Sequence, residues 1–217
     1  SRGTSGGGNP FDPGDVSVPG WLASGVSGLK TRSYDYFHHL LGSPELDEAP
    51  GGGKVTNSDL PGEDGVKAYD GDIQTDGNWD IGDKKIVLLT NGKFLIKDRI
   101  SVGDEGSLVV VVEDGIGVSK ELEIDGTLGN KIQGIFITDA TFYSSVNENL
   151  NLITADSDKQ LVIDGSVIAA SISLIRDLGF EDNETMPAEL FRYDPGLAMN
   201  SYQELWQRKH TWQELAP

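Results

Sequence analysis

The feature that most constrains this chain is an Asx corner that returns five times between Asp70 and Ala170. It appears as Asp70-Gly71, Asn91-Gly92, Asp114-Gly115, Asp139-Ala140 and Asp164-Gly165, at intervals of 21, 23, 25 and 25 residues. Apolar runs lead into the corners: Lys85–Thr90, Ser107–Glu113, Ile132–Thr138 and Gln160–Ile163. Shorter, more alternating segments follow them, such as Lys93–Lys97, Gly115–Ser119 and Glu121–Asp125. A repeat of about 20 to 25 residues, made of strands and corners with no helix between, is the pattern of a solenoid. One coil cannot bury its own apolar face, so Leu88, Val110, Phe136 and Val162 are expected to stack one above another. Each such side chain contributes about 1.5–3 kcal/mol before the entropy of ordering is set against it. Gly supplies φ > 0 at the corners, and Asx side chains bond their own backbone there. The competing arrangement is an antiparallel meander with hairpin turns at Asn91-Gly92 and Asp114-Gly115. Continuous apolar runs instead fit parallel strands that are buried on both sides or face a closed core. The expected fold is therefore all-β: a right-handed parallel β-helix with a short N-terminal capping helix and an irregular C-terminal cap.

The rest of the chain divides around this ladder. Residues 1–20 are rich in Gly, Pro and Asp and read as a flexible linker. Residues 21–60 read as an N-terminal cap, with a helix over about 31–42. Ser33 is placed to cap that helix, Tyr34, Phe37, Leu40 and Leu41 share one face, and Gly42 ends it before Pro44. Laid across the first coil, such a helix would close an end that otherwise offers unpaired strand edges. Residues 61–180 form the solenoid and 181–217 the C-terminal cap segment. Tyr202, Trp206 and Trp212 are large anchors in that tail, read first as cap packing and second as an interaction surface able to stack on sugar rings.

Composition excludes some partners. With 17 basic against 35 acidic residues and a formal charge of −18, the chain lacks the basic face that nucleic-acid phosphates require. No run reaches the length of apolar sequence that crosses a bilayer, and no signal peptide is visible. The chain starts at Ser1 rather than Met, which suggests a processed or truncated product whose membrane contact would run only through a missing N-terminal anchor. The absence of Cys carries no compartment information, since exported bacterial proteins often lack disulfides.

Candidate chemistry is sparse. Asp70, Asp72 and Asp76 invite a calcium reading, yet they match neither the EF-hand register nor tandem Gly-Gly-x-Gly-x-Asp repeats, and turn residues of the first coil are the simpler reading. His38-His39 lack further ligands at fitting spacing and read as helix-surface residues. Asn183-Glu184-Thr185 matches a glycosylation sequon, a three-residue pattern of little weight alone. A lyase would need bound calcium beside an Arg or Lys base, but Lys97, Arg99, Lys120, Lys131 and Arg176 do not recur at one coil offset from acidic clusters. A hydrolase would need two carboxyls across a sugar bond. Asp114, Asp139 and Asp164 are expected in one column about 5 Å apart, where repetition alone explains their proximity.

The order of motifs resembles bacterial surface β-helix proteins related to PilX-like type IV pilus-assembly proteins. The likeness rests on Pro19–Trp21, Ser33–Pro44, Gly71–Ile81, Gly134–Ala140, Gly165–Ala169, Leu174–Leu178, Pro187–Pro195 and Trp212–Pro217. The resemblance implies an N-terminal pilin-type membrane helix ahead of a β-helical passenger, with export and surface display rather than a reaction. The expectation is an extracellular or cell-surface structural module, without catalytic residues or cofactor, that assembles with sister subunits or other surface components. A polysaccharide-binding or -cleaving β-helix, using calcium at Asp70, Asp72 and Asp76, is the alternative.

Overall fold

The computed structural model of the chain describes residues 33–122, 132–147, 160–178, 187–202 and 205. These lie in one of the two units into which the chain divides, Arg32–Pro217. The expected linker over 1–20, Trp206, Trp212 and the sequon at Asn183 fall outside the described residues.

Among the described residues the fold is mostly β: thirteen strands join in one curled sheet, and every pairing is parallel. A meander would pair successive strands antiparallel, so that arrangement is excluded. The chain visits three ladders in rotation. The first holds β1 (Asp47–Glu48), β3 (Gly65–Asp70), β6 (Lys85–Thr90) and β9 (Ser107–Val112), then the middle of β11 (Ile132–Val146) and of β12 (Leu161–Ser173). The second holds β2 (Lys54–Val55), β4 (Ile73–Thr75), β7 (Lys93–Ile96) and β10 (Gly115–Ser119), then the ends of β11 and β12. The third stacks β5 (Trp79–Asp80), β8 (Ile100–Ser101), the starts of β11 and β12, and β13 (Glu189–Arg192).

Register sets the stack, and one expected member is replaced. Leu88 lies beside Val110 and Val110 beside Phe136, as their apolar runs suggest. The next residue in that column is Val167, not Val162, which pairs with Leu190 in the third ladder. The Asx column breaks at the same place. Asp164 registers with Gln133 and Arg192 in the third ladder, whereas Asp139 remains at the corner between the first two. The interval is 25 residues on both sides of Asp139, but coils of unequal build use it to reach different faces.

The first ladder is apolar on both surfaces, which accounts for its uninterrupted runs. Inward, Ile86, Leu88, Leu108, Val110 and Phe136 join Trp79, Phe94 and Phe142 in the main core. Outward, Val87, Leu89, Val109, Val111 and Ile137 meet helix α1 (Ser33–Leu40) through Tyr34, with Phe37, Leu41, Leu46, Tyr202 and Leu205 beside it. The helix therefore covers the flank of several coils rather than the end of the stack. Burial drives this choice: the outward valines and leucines of β6 and β9 need a cover more than the polar first coil does. Both chain directions supply it, since α2 (Pro195–Met199) precedes Tyr202 and buries Leu197.

The cap of α1 also differs from expectation. Ser33 lies within the helix, and Asp139 accepts from the exposed N–H groups of Ser33 (2.5 Å) and Tyr34 (2.9 Å). A carboxylate at a helix N-terminus satisfies orphan donors and the helix dipole together. The other end closes as read, with Gly42 at φ 83° and a 2.8 Å bond from Ser43 N–H to the His38 carbonyl.

Candidate functional site

Most corner residues tie successive coils together. Asp64, Asp72 and Asn78 accept from the backbone N–H groups of Lys85, Lys93 and Arg99, each one coil further along. Asn91 accepts from Gly71 N–H and donates to Asp70. Thr75 accepts from the N–H groups of Lys97 and Asp98, and Asp98 in turn accepts from Gly77. Asx side chains were expected to bond their own backbone; most instead replace the strand pairing that stops where the sheet turns.

This arrangement uses the aspartates proposed for calcium separately. Asp70 faces Asn91, Asp72 holds Lys93, and Asp76 donates its backbone N–H to the Val55 carbonyl. Among the described residues, no three His, Asp or Glu side chains come together as a metal would require. His38 stacks on Tyr34 with ring centroids 5.7 Å apart and donates from Nε2 to the Pro44 carbonyl, a structural position; His39 is exposed.

Two charged constellations have no signature in the local sequence. Arg192 grips Asp164 with two bonds, Nε to Oδ1 at 2.5 Å and Nη2 to Oδ2 at 2.9 Å. Asp164 is only 7% exposed, so the bidentate geometry offsets the desolvation of its carboxylate. The second is centred on Arg176, which is buried and donates to the carbonyls of Ser144 (2.7 Å) and Ser119 (2.9 Å). Glu189 completes it by accepting from Arg176 N–H and the Ser144 hydroxyl. Only the spacing of coils brings these residues together, so no local motif could have shown them.

A cleft of about 100 Å³ lies on the second ladder where β7 and β10 begin, beside β11, lined by Lys93, Asp114, Gly115, Ile116 and Tyr143. It sets an aromatic side chain beside one positive and one negative group. It is smaller than the 300–1,000 Å³ of ordinary ligand pockets, so it fits a contact with part of a ligand rather than its enclosure.

The two ends of the stack differ in chemistry. At the start, β1 and β2 have two residues each, Asp47 and Glu48 are exposed, and Lys67 closes the inward column by pairing with Asp47 and lying over the Tyr69 ring. Short strands and charges blunt a sheet edge. At the finish, residues 165–173 of β12 have no strand on their outer side among the described residues, because β13 pairs only with Leu161–Asp164. That segment, Gly-Ser-Val-Ile-Ala-Ala-Ser-Ile-Ser, carries no charge and no Pro. Its Ile168 and Ile172 are 55% and 49% exposed, with Leu174 (51%), Phe191 and Tyr193 exposed nearby. Of the aromatics expected to form an interaction surface, Tyr202 is half-buried against the outward cluster of the first ladder. Comparison with protein-family models, curated proteins and solved structures gives no match to this chain.

Proposed function

We propose that this chain is a right-handed parallel β-helix acting as a non-catalytic structural module at the cell surface, where it mediates assembly or adhesion within a pilus- or fibre-associated protein. The observation that carries the reading is the uncharged, apolar strand edge of the last coil in a chain of net charge −18. An open edge of this kind is a template for pairing with another chain. Right-handed winding follows from the connection preference of parallel strands with right-handed twist. The likeness to PilX-like surface proteins supports an extracellular position and contact with sister subunits or other surface components, and the acidic charge keeps such a module soluble between contacts. Surface biotinylation of intact cells producing the full-length protein tests the placement. Labelling confined to lysed cells removes the reading.

The second reading, a polysaccharide-binding or -cleaving β-helix, is favoured by the cleft that sets Tyr143 beside Lys93 and Asp114. Thermal melts with and without calcium, together with a binding screen on acidic polysaccharides, decide it. If Asp70, Asp72 and Asp76 hold calcium, the melt shifts upward with the ion. No shift and no binding dismiss this alternative.

A further inference from the structure

We infer that the partner of the last coil is a second copy of this chain, joined tail to tail through the 165–173 edge of β12 in a closed, two-fold dimer. The inference rests on the surface-module reading and deepens it by naming the partner and the geometry.

Three observations select this occupant over a head-to-tail stack. The first is the contrast between ends. Val167, Ala169 and Ile172 continue the inward columns above Phe136, Thr138 and Phe142, yet Ile172 stands half-exposed because no described strand follows. The opposite end is blunted by charge: its outer strand is two residues long and carries Asp47 and Glu48, and the stretch of β3 that this strand leaves uncovered among the described residues, Gly65–Ala68, carries Lys67. The second is charge. Residues 45–83 hold eleven carboxylates against Lys54 and Lys67, whereas residues 165–175 hold no charge. Tail-to-tail contact sets the acidic ends furthest apart and brings the neutral surfaces together, which minimises repulsion between two chains of −18. The third is self-complementarity. A two-fold axis across the first ladder sets β12 antiparallel to its copy, so one segment supplies both donors and acceptors, and the contact closes at two.

Sedimentation and light scattering of the purified chain across a concentration series test this directly, with Ile168→Lys/Ile172→Lys as the disrupting variant. Both side chains are already about half-exposed, so lysine is tolerated by the fold, and an unchanged melting profile verifies that. The native chain is expected as a dimer, the double variant at least tenfold weaker in dimerisation, and Met199→Lys, at an 84% exposed position away from the edge, unchanged. If the double variant fails to fold, amide exchange of the native chain replaces it: residues 165–173 become protected as concentration rises. A monomer at every concentration, a dimer indifferent to the two lysines, absent protection of the edge, or growth beyond two copies each overturns the inference. Surface labelling of intact cells with the same variant separates the two levels. A labelled monomer sinks the dimer and leaves the surface module standing, whereas absence from the surface sinks the broader reading.

Discussion

Substituting three glycines separates backbone strain from lack of space, because the structure presents each condition alone and then both together. Gly71 has φ 85°, and a Cβ built on it meets nothing within 4 Å. Gly71→Ala therefore carries only the left-handed penalty of about 1–2 kcal/mol. Gly92, at the same corner one coil later, has no left-handed φ, but its added Cβ would sit 2.3 Å from the Gly71 carbonyl carbon and 2.5 Å from Asp72 N. Backbone cannot rotate away as a side chain does, so the two coils must part by about an ångström. That separation costs about 3 kcal/mol. Gly165 combines the two: φ is 144° and the added Cβ would lie 1.9 Å from the Gly134 carbonyl oxygen. The sum, about 4–5 kcal/mol, approaches the lower end of the roughly 5–15 kcal/mol that holds a typical domain together. Thermal unfolding followed by circular dichroism reads the series. At about 2–4 °C per kcal/mol for a chain of this size, Gly71→Ala should melt a few degrees low, Gly92→Ala about 6–12 °C low, and Gly165→Ala should fail to fold or melt lowest. A Gly92→Ala protein as stable as the native one, or less affected than Gly71→Ala, would falsify the claim that successive corners touch through their backbones.

Other expectations follow from single contacts. Asp139→Ala removes both acceptors from the start of α1 and should cost about 2 kcal/mol, Asp139→Asn about half that; proteolysis just after Leu41 should accelerate in the same order, and equal rates would exclude the cap. Arg176→Met should destabilise by about 3 kcal/mol in urea unfolding, because the Ser119 and Ser144 carbonyls lose their buried donor, and a neutral result would mean that these oxygens reach water. Burial, with Asp59 and Asp47 adding to it, pushes the Tyr69 phenol up to about 12. Its folded pKa lies above the unfolded one near 10, so its stabilising contribution is complete below about pH 10 and fades as pH climbs toward 12. Burial raises the Tyr34 phenol as well, so ultraviolet titration should show late tyrosine absorbance that Tyr69→Phe reduces, and a single step near pH 10 for all tyrosines would contradict the burial.

Local reading succeeded where the determinant was itself local. The runs Lys85–Thr90 and Ser107–Val112 alternate between two apolar surfaces, and both are buried. The C-terminal stop of α1 followed from Gly42. It failed where contacts depend on how many residues each coil contains. Val167 rather than Val162 continues the inward column, and Asp164 leaves the corner column for Arg192, since hydrogen-bond register counts rungs while sequence spacing counts residues. The helix cap came from Asp139, 106 residues away from Ser33, a distance at which no capping motif is visible.

The amino-acid order alone therefore decided that the ladder is made of apolar strands punctuated by Asx corners, because periodicity and turn preference act over a few neighbouring residues. Tertiary structure decided which corner lies above which, where α1 rests, and that the first coil ends in charge while residues 165–173, among the described residues, have no strand on their outer side. Those outcomes depend on backbone pairing between residues twenty or more apart, where a change in loop length moves a side chain to another face without altering its local pattern.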